Sequence, residues 1–474
     1  MRPKNVLPFA VLCTVPFILV LGNSMLIPVL PRIRSALHLT QAQTGLFITA
    51  FSIPAGLAIM LVGALSDRIG RKRVIAPSLI VYGAGGIAAA LAAILVERPY
   101  WLILAARVIQ GVGAAGTGPI ATAVAGDMFQ SQERTRAVGI LEASNGFGKV
   151  ISPVLGAGAA LVAWWAPFLL FAVVAFPAAI GVWALCPEPA ARDRDRVQNR
   201  DRDRDRDRNR DRDRDRGSGG GRSSGKGAAS SEDPAPGDGP GQDQRRDQSG
   251  DQGQCWGQGR GRRRRQTSMR TYFADLRRVF KEKGWSLAAC YVAGAVVLLV
   301  LFGMLFYFSD VLEDRFKIGG LMKGLLIAAP ILVMSVTSLL AGLFLEKHGT
   351  LLKTATWAGL ALVAASLGLL AFGSGLVWLG ALTAVIGFGS GLVLPSLNTM
   401  VTSAAGGQTR GMVTSVYGAV RFLGVAAGPP VFGLIMDSRR ISVFGPAAVA
   451  AGAAALFVVL ALDQRLLAPP SGDR

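Results

Sequence analysis

Histidine and cysteine are scarce in this chain, and charged residues are few for its length. Two histidines and four cysteines occur in 474 residues, of which only 17% are charged. The cysteines have no paired spacing, so the sequence predicts neither a disulfide framework nor a zinc site. With so few histidines, a histidine-rich metal site is excluded as well. We therefore expect no metal and no cofactor.

Nucleotide-binding motifs are also missing. No Walker motif occurs, and Gly111, Gly113 and Gly116 lie inside a long apolar run, so they do not predict a phosphate loop. The formal net charge of +20 could indicate nucleic-acid binding. Lysine and arginine, however, also accumulate in the cytoplasmic loops of membrane proteins. We expect no nucleic-acid partner, and an energy source other than a nucleotide.

Long apolar runs make up most of the chain, which is 51% hydrophobic with a mean hydropathy of +0.42. A helix that crosses a bilayer needs about 20 mostly apolar residues, and only helices or closed barrels satisfy their backbone within lipid. Alternating barrel strands do not occur. The sequence predicts an all-α membrane protein with twelve transmembrane helices, roughly 6–30, 44–65, 74–96, 100–129, 138–161, 164–186, 285–310, 321–345, 353–373, 376–404, 411–436 and 441–463.

Basic residues concentrate on one side of these spans, which is therefore predicted to be cytoplasmic. The first apolar run has no small-residue cleavage site, so it is interpreted as a span rather than a signal peptide. We expect a multi-pass protein of a bacterial inner (plasma) membrane, a monomer, with both termini cytoplasmic. The basic residues on that side include Arg68, Arg71, Lys72, Arg73, Arg134, Arg136, Lys347, Lys353 and Arg410.

A polar stretch divides the spans into two groups of six. Residues 192–216 are almost pure Arg-Asp alternation, a composition that cannot bury apolar surface and predicts a disordered spacer. Alternatively, residues 260–278 lie on anionic lipid headgroups. The predicted organisation is a six-helix bundle over 1–186, a cytoplasmic charged linker over 187–284, a second bundle over 285–465 and a cytoplasmic tail over 466–474.

The two bundles look like copies of one unit. Residues 63–70, GALSDRIG, match residues 342–349, GLFLEKHG, with Gly, acid, base and Gly at the same spacing. Arg134 precedes Pro153 by the same interval as Arg410 precedes Pro429. Six-helix repeats around a central cavity are a transporter architecture.

Three motifs resemble those of the major facilitator superfamily. They are GALSDRIGRKR at 63–73, LAARVIQGVGAA at 104–115 and GKVISPVLGA at 148–157. The order and placement resemble the twelve-helix drug:proton antiporters. Residues 142–149, EASNGFGK, resemble the branch that contains the bacillibactin (siderophore) exporter of bacilli. The resemblance implies the pseudo-symmetric major facilitator fold and transport by alternating access.

The third motif departs from the antiporter pattern. Ser152 and Ala157 stand where glycines are usual, which keeps a uniporter or sugar importer open as an alternative. Gly148, Pro153 and Gly156 nevertheless predict a thin, bendable helix that neighbours can approach closely.

Ionisable residues inside spans indicate function. Glu142 is the clearest acid deep in a span and is the best candidate proton carrier. Arg107 is predicted to tune a nearby carboxylate or to contact substrate; a static ion pair of Glu142 with Arg107 or Lys149 is the alternative. Asp310, near the end of the seventh span, is interpreted as an interfacial residue. The predicted cavity residues are Arg107, Gln110, Asn145, Lys149, Arg421, Asn23 and Asn398. For Asn23 and Asn398, hydrogen bonds between helices are an equal alternative.

The cytoplasmic loops carry a second predicted device. The resemblance implies that Asp67 meets the positive end of the eleventh span's helix dipole, and Asp127 could pair with Arg71. Gly70 permits the tight turn, and Glu346 is the matching acid of the second bundle. These contacts would latch the cytoplasmic gate, and the basic residues also fix topology.

Together these features predict a proton-coupled exporter, not an enzyme, whose partners are a small-molecule substrate, protons and the lipid bilayer. The predicted cavity holds three cations against one acid, which favours an anionic or amphiphilic solute such as a siderophore. Two alternatives remain open: a multidrug pump for lipophilic cations, and a non-transporting membrane sensor or scaffold.

Overall fold

The computed structural model describes residues 3–129, 131–186, 269–404, 407–436 and 440–467, which are helical apart from short turns and contain no strand. Short 3-10 turns occur at Ile27–Val29 and Gly349–Leu351. The α-helices are α1 Pro3–Ser24, α2 Leu30–Leu37, α3 Gln41–Ile69, α4 Lys72–Leu95, α5 Tyr100–Ala115, α6 Gly118–Met128, α7 Ser131–Val162, α8 Ala166–Leu185, α9 Met269–Asp314, α10 Gly320–Lys347, α11 Leu352–Leu370, α12 Leu376–Ser403, α13 Gly407–Ile435, α14 Arg440–Ala461 and α15 Gln464–Leu467.

Local sequence sets both ends of α3. Thr40 caps its start, accepting a hydrogen bond from the Gln43 backbone nitrogen at 3.2 Å while the Gln43 side chain accepts one from the Thr40 nitrogen at 2.9 Å. Gly70 ends the helix at φ 109°, a conformation that glycine adopts without a steric penalty. The chain therefore turns sharply into α4, as Gly70 predicts. The matching Gly349 starts a 3-10 turn instead.

The twelve predicted spans are present. Eleven helical segments of the described chain are long and apolar enough to cross a membrane. The remaining span is α7, whose apolar face is interrupted by Glu142, Asn145 and Lys149. Two spans are broken: the first continues through a 3-10 turn to Leu37, and the fourth is divided between α5 and α6.

The end of the predicted linker is wrong in one respect. Helix α9 begins at Met269, so residues 269–284 are helical, with a kink at Lys283 where φ is −124° and ψ is 15°. This segment is rich in good helix formers, but its charge hides it from a search for apolar runs. The linker from 187 to 268 and the tail from 468 to 474 lie outside the described residues.

The most extensive packing between the bundles is in two helix pairs: α3 packs against α13, and α7 packs against α10. In the repeat, α3 corresponds to α10 and α7 corresponds to α13. The operation that superposes one bundle on the other therefore turns the α3–α13 contact into the α7–α10 contact. This is the pseudo-symmetry that the sequence repeat predicts. The helices on both sides of residues 189–269 belong to one compact unit.

The α3–α13 contact is tight at one end and lost at the other. A Cβ placed on Gly45 would lie 2.6 Å from the Pro430 nitrogen, and one on Gly56 would lie 3.2 Å from the Ala419 carbonyl oxygen. Gly63 follows Gly56 by two helical turns and so lies on the same face. A Cβ there would meet nothing within 4 Å.

The α7–α10 pair repeats this pattern. A Cβ on Gly324 would lie 2.8 Å from the Ala157 Cβ, whereas Cβ atoms on Gly139 and Gly342, five turns further along the same faces, would meet nothing within 4 Å. The bundles are thus packed at the end that contains Gln41 and Gly320, the outer end. They are apart at the end that contains Ile69 and Lys347, the inner end, where the basic loops lie.

Adding one methyl group should reverse this arrangement. Gly45→Ala places a Cβ against the backbone of Pro429 and Pro430, which cannot rotate away, so we expect it to disfavour closure of the outer end. Overpacking costs about 1–3 kcal/mol, which corresponds to a shift of roughly five- to a hundredfold toward an open outer end. Spin-label distances across the outer end measure this shift.

Gly63→Ala, on the same face of α3, is the matched control and should leave the distances unchanged. Equal effects of the two substitutions would contradict the described packing.

Candidate functional site

Residues from both bundles approach one another between α7 and α13. Glu142 and Lys149 lie on α7 seven residues apart and share a face; Glu142 is exposed and Lys149 partly exposed. Lys149 is close enough to Arg421 on α13, and to Glu142, to interact electrostatically with both. The structure therefore brings together three of the four predicted intramembrane charges.

On the second bundle, Arg421 is held by neighbouring side chains. Its Nη1 donates to the Oδ1 of Asn398 on α12 at 3.3 Å. Its guanidinium carbon lies 5.4 Å from the centroid of the Tyr417 ring. Its Nε is buried and has no hydrogen-bond partner within the described residues. Two of the predicted cavity residues, Arg421 and Asn398, are thus in direct contact.

Two further polar residues on α13 were not predicted. Thr414 Oγ1 and the Tyr417 hydroxyl are both buried without a hydrogen-bond partner in the part of the chain described. Tyr417 stacks on Tyr291 of α9, with ring centroids 5.8 Å apart. Residues 414, 417 and 421 are spaced i, i+3 and i+7, so the spacing from Arg421 was a usable signal.

Arg107 does not lie in this region, which corrects the predicted contact with substrate or a carboxylate. It is 0% exposed. Its Nη2 donates to the Gly22 carbonyl at 2.6 Å, its Nε to the Phe47 carbonyl at 3.2 Å, and its Nη1 to Gln110 Oε1 at 2.6 Å. Its guanidinium also lies 4.6 Å from the Phe51 ring centroid.

The reason is local. Gly22 lies in the last turn of α1, where backbone carbonyls lack an intrahelical partner, and Arg107 supplies the missing donor. Gln110 is also 0% exposed, and its Oε1 accepts the hydrogen bond from Arg107. The two residues tie α5 to α1 and α3 inside the first bundle and do not line the cavity.

Two predicted cavity amides also bind helices together. Asn145 Nδ2 donates to the Pro16 carbonyl of α1 at 3.3 Å, beside Ser144, whose hydroxyl donates to the Cys13 carbonyl at 2.6 Å. Asn23 Nδ2 donates to Ser52 Oγ at 2.8 Å. For Asn23, which is buried, this is the helix–helix hydrogen bond that the sequence left open as the alternative. Asn145 is partly exposed, and its place in the cavity stays a prediction.

The three residues of the predicted antiporter helix lie where α7 meets its neighbours. A Cβ on Gly148 would lie 3.3 Å from the Phe17 carbonyl oxygen, and one on Gly156 only 1.9 Å from that of Met25. Pro153 is buried, and its carbonyl oxygen would lie 3.0 Å from a Cβ on Gly324. This part of α7 contacts α1 and α10 at once.

Only part of the predicted inner latch lies among the described residues. The side chains of Asp67, Asp127 and Glu346 lie outside the described part of the structure. Arg71 is partly exposed at the start of α4, directly after the Gly70 turn. The latch remains a prediction, expected to form when the inner end closes.

Comparison with known proteins agrees with this architecture. The family model of the Major Facilitator Superfamily matches residues 12–429. The bacillibactin exporter of Bacillus subtilis (strain 168) is 30% identical over 464 residues, covering 98% of this chain and 97% of that protein. The class C tetracycline resistance protein of Escherichia coli is 31% identical over 156 residues, 32% of this chain and 38% of that protein.

A solved structure shares the fold. The crystal structure of a bacterial homologue of the human lysosomal transporter Spinster, in an inward-facing and unoccupied conformation, has a TM-score of 0.65 at 15% identity and covers 98% of this chain and 97% of that one. The family resemblance of the three motifs and the all-helical fold are both confirmed. The chain belongs to the major facilitator superfamily and is a multi-pass membrane transporter.

Proposed function

We propose that the protein is a secondary active exporter that couples efflux of an anionic, amphiphilic solute to proton entry by alternating access. The observation that supports this proposal is that Lys149 and Arg421, one from each bundle, are close enough to interact electrostatically, and that Glu142 interacts with Lys149 as well. A catecholate siderophore is a solute of this chemistry.

Charge decides between anionic and cationic cargo. Two like charges close together repel each other, and an anion between Lys149 and Arg421 would offset that repulsion. A lipophilic cation would add to it. Because Arg107 is buried elsewhere, the balance is two cations to one acid. The name of the bacillibactin exporter, similar along nearly the whole chain, agrees with anionic cargo.

Proton coupling would use Glu142. Its carboxylate is exposed between the bundles and close to Lys149, so it can exchange a proton with solvent and compete with an anion for the same cation. The basic loops at the inner end support cytoplasmic termini. The bacterial exporter that is similar along the chain supports a location in a bacterial plasma membrane. The packing of the outer end supports an inward-facing state. The exporter would act as a monomer within the lipid bilayer.

One alternative has its own support. The tetracycline resistance protein matches about a third of the chain, which favours a multidrug pump for lipophilic drugs. Exposed apolar side chains such as Phe147, 60% exposed on α7, suit such a cargo.

Deletion of the gene in its host separates the two functions. The proposal expects a several-fold drop in siderophore in the medium under iron starvation, with unchanged sensitivity to ethidium. Complementation with the wild-type gene is the control. Unchanged siderophore release together with raised ethidium sensitivity would overturn the anion proposal and favour the drug pump.

A further inference from the structure

The outer end holds a second group of charges that the proposed transport site does not use. The group joins α2 of the first bundle to α9 and α10 of the second, so it can form only while the outer end is closed. Its members, here called the outer cluster, are Arg32, Arg34, Asp310, Glu313, Asp314 and Lys323.

Two carboxylates share one guanidinium at its centre. Arg34 Nη1 lies 2.5 Å from Asp310 Oδ1, and Arg34 Nη2 lies 2.5 Å from Asp314 Oδ2. The Asp310 residue is only 6% exposed, whereas the Asp314 side chain is 53% exposed. Asp310, predicted to be interfacial, is thus a buried acid that is bound across the two bundles.

The other cations of the cluster are already engaged. Lys323, 1% exposed, lies 2.6 Å from Glu313. Arg32 is partly exposed, donates to the Ala160 carbonyl at 2.6 Å and lies 3.9 Å from Glu313. The cluster therefore holds three cations, Arg32, Arg34 and Lys323, and three carboxylates. Asp310 is the most buried of these carboxylates.

Gln41 offers an acceptor for a proton on Asp310. Its Nε2 donates to Asp310 Oδ2 at 2.9 Å, while its Oε1 is buried without a hydrogen-bond partner among the described residues. If the Gln41 amide group rotates so that Oε1 takes the place of Nε2, a protonated Asp310 could donate a hydrogen bond from Oδ2 to Gln41 Oε1. An ionised carboxylate cannot satisfy that oxygen.

Further titratable and charged groups surround Asp310. Tyr307, one turn earlier on α9, interacts electrostatically with Asp310, with Arg315 and with Arg440 of α14. Lys323 of α10 also interacts with Asp310. His38 is exposed at the same end of the molecule, so a pH experiment must remove it.

We propose that Asp310 is a proton-binding site, which takes up one proton from the outer solution as the outer end closes. In the open state Asp310 and Arg34 separate, and water stabilises the ionised carboxylate. Closure buries Asp310 beside Asp314, and both burial and the like charge favour the neutral acid, whereas the shared Arg34 guanidinium favours the ionised carboxylate. We take the loss of hydration to be the larger effect. The closed state then holds one more proton than the open state.

This site goes beyond the proposed role of Glu142 and needs no substrate. An acidic exterior would therefore shift the carrier toward the state with the outer end closed. The proton on Asp310 returns to the outer solution when that end reopens, so this site sets the pH dependence of closure and does not carry a proton inward.

The test measures the outer end directly at a series of pH values. Spin labels are attached to cysteines introduced at the exposed positions Ala36 and Ser374, in a full-length chain whose native cysteines are replaced and which carries His38→Asn. The ratio of closed to open populations in lipid nanodiscs should fall as pH rises. For one linked proton the change approaches tenfold per pH unit.

Asp310→Asn should keep the outer end closed at every pH and abolish this dependence. Asp314→Asn removes the exposed carboxylate on the same guanidinium and should keep a pH dependence. Asp310→Glu keeps a titratable carboxyl group and should also keep the pH dependence. This variant serves as the test if Asp310→Asn does not insert into the membrane.

A wild-type ratio that is independent of pH or rises with it would overturn the proposal, and so would an unchanged dependence in Asp310→Asn. Because no solute is present, failure of anion transport would overturn only the proposed function.

Discussion

Glu142→Gln is expected to abolish proton-driven accumulation of substrate while leaving membrane insertion intact. Glutamine keeps the size and hydrogen-bonding shape of the side chain but cannot bind or release a proton. An imposed pH gradient would then have no group at the transport site through which to act. In everted vesicles, uphill uptake should fall to simple equilibration, while exchange of labelled for unlabelled substrate continues.

Glu97→Gln is the matched control, since Glu97 is an exposed acid in the loop between α4 and α5. It should transport like the wild type. If Glu142→Gln still accumulates substrate uphill at the wild-type rate, the coupling proton is carried by another group.

Neutralising the two cations of the site should have the second large effect. An ionic hydrogen bond contributes about 1.5–3 kcal/mol, which is roughly ten- to a hundredfold in affinity. Lys149→Gln and Arg421→Gln should each weaken binding of an anionic catecholate by this factor, and the double variant should bind it more weakly than either. Binding titrations on the purified transporter measure the change.

The same variants should not lose affinity for a cationic probe, because each substitution removes a positive charge that repels it. Ethidium affinity should therefore rise or stay constant in Lys149→Gln. Arg136→Gln, which removes an exposed cation from the same helix, should change neither ligand. Loss of ethidium binding with unchanged catecholate binding would exclude the anionic site.

The overall architecture was largely predictable, because a bilayer demands long apolar helices and the chain repeats itself. The boundaries that were missed have physical causes. Helix α9 starts at Met269 within a charged stretch, where hydropathy carries no signal. The span in α7 was predicted as 138–161 although it is too polar to pass as a span by composition alone.

The site was only partly predictable. A charge inside a span indicates function, but it does not reveal whether the charge turns toward the cavity or into its own bundle. Arg107 turned inward because the Gly22 and Phe47 carbonyls accept its donors, and those acceptors belong to two other helices. Lys149 and Arg421 came together only through the packing of the bundles.

The outer cluster was missed for a related reason. Asp310 and Arg34 are 276 residues apart in the chain, and each lies near the end of a span, where charge normally faces water. Nothing local distinguishes a gate residue from an interfacial one. Only the closed arrangement of α2 against α9 shows that Asp310 is buried.

Flux in everted vesicles tests the central claim most directly. Purified protein is not required: vesicles with an acidic interior are offered a radiolabelled iron-free catecholate siderophore, and its accumulation is followed with and without a protonophore. The account predicts uptake above equilibrium that collapses when the protonophore dissipates the gradient and that is not inhibited by ethidium. Accumulation of ethidium but not of the catecholate under the same gradient, or no gradient-dependent flux of either, would contradict it.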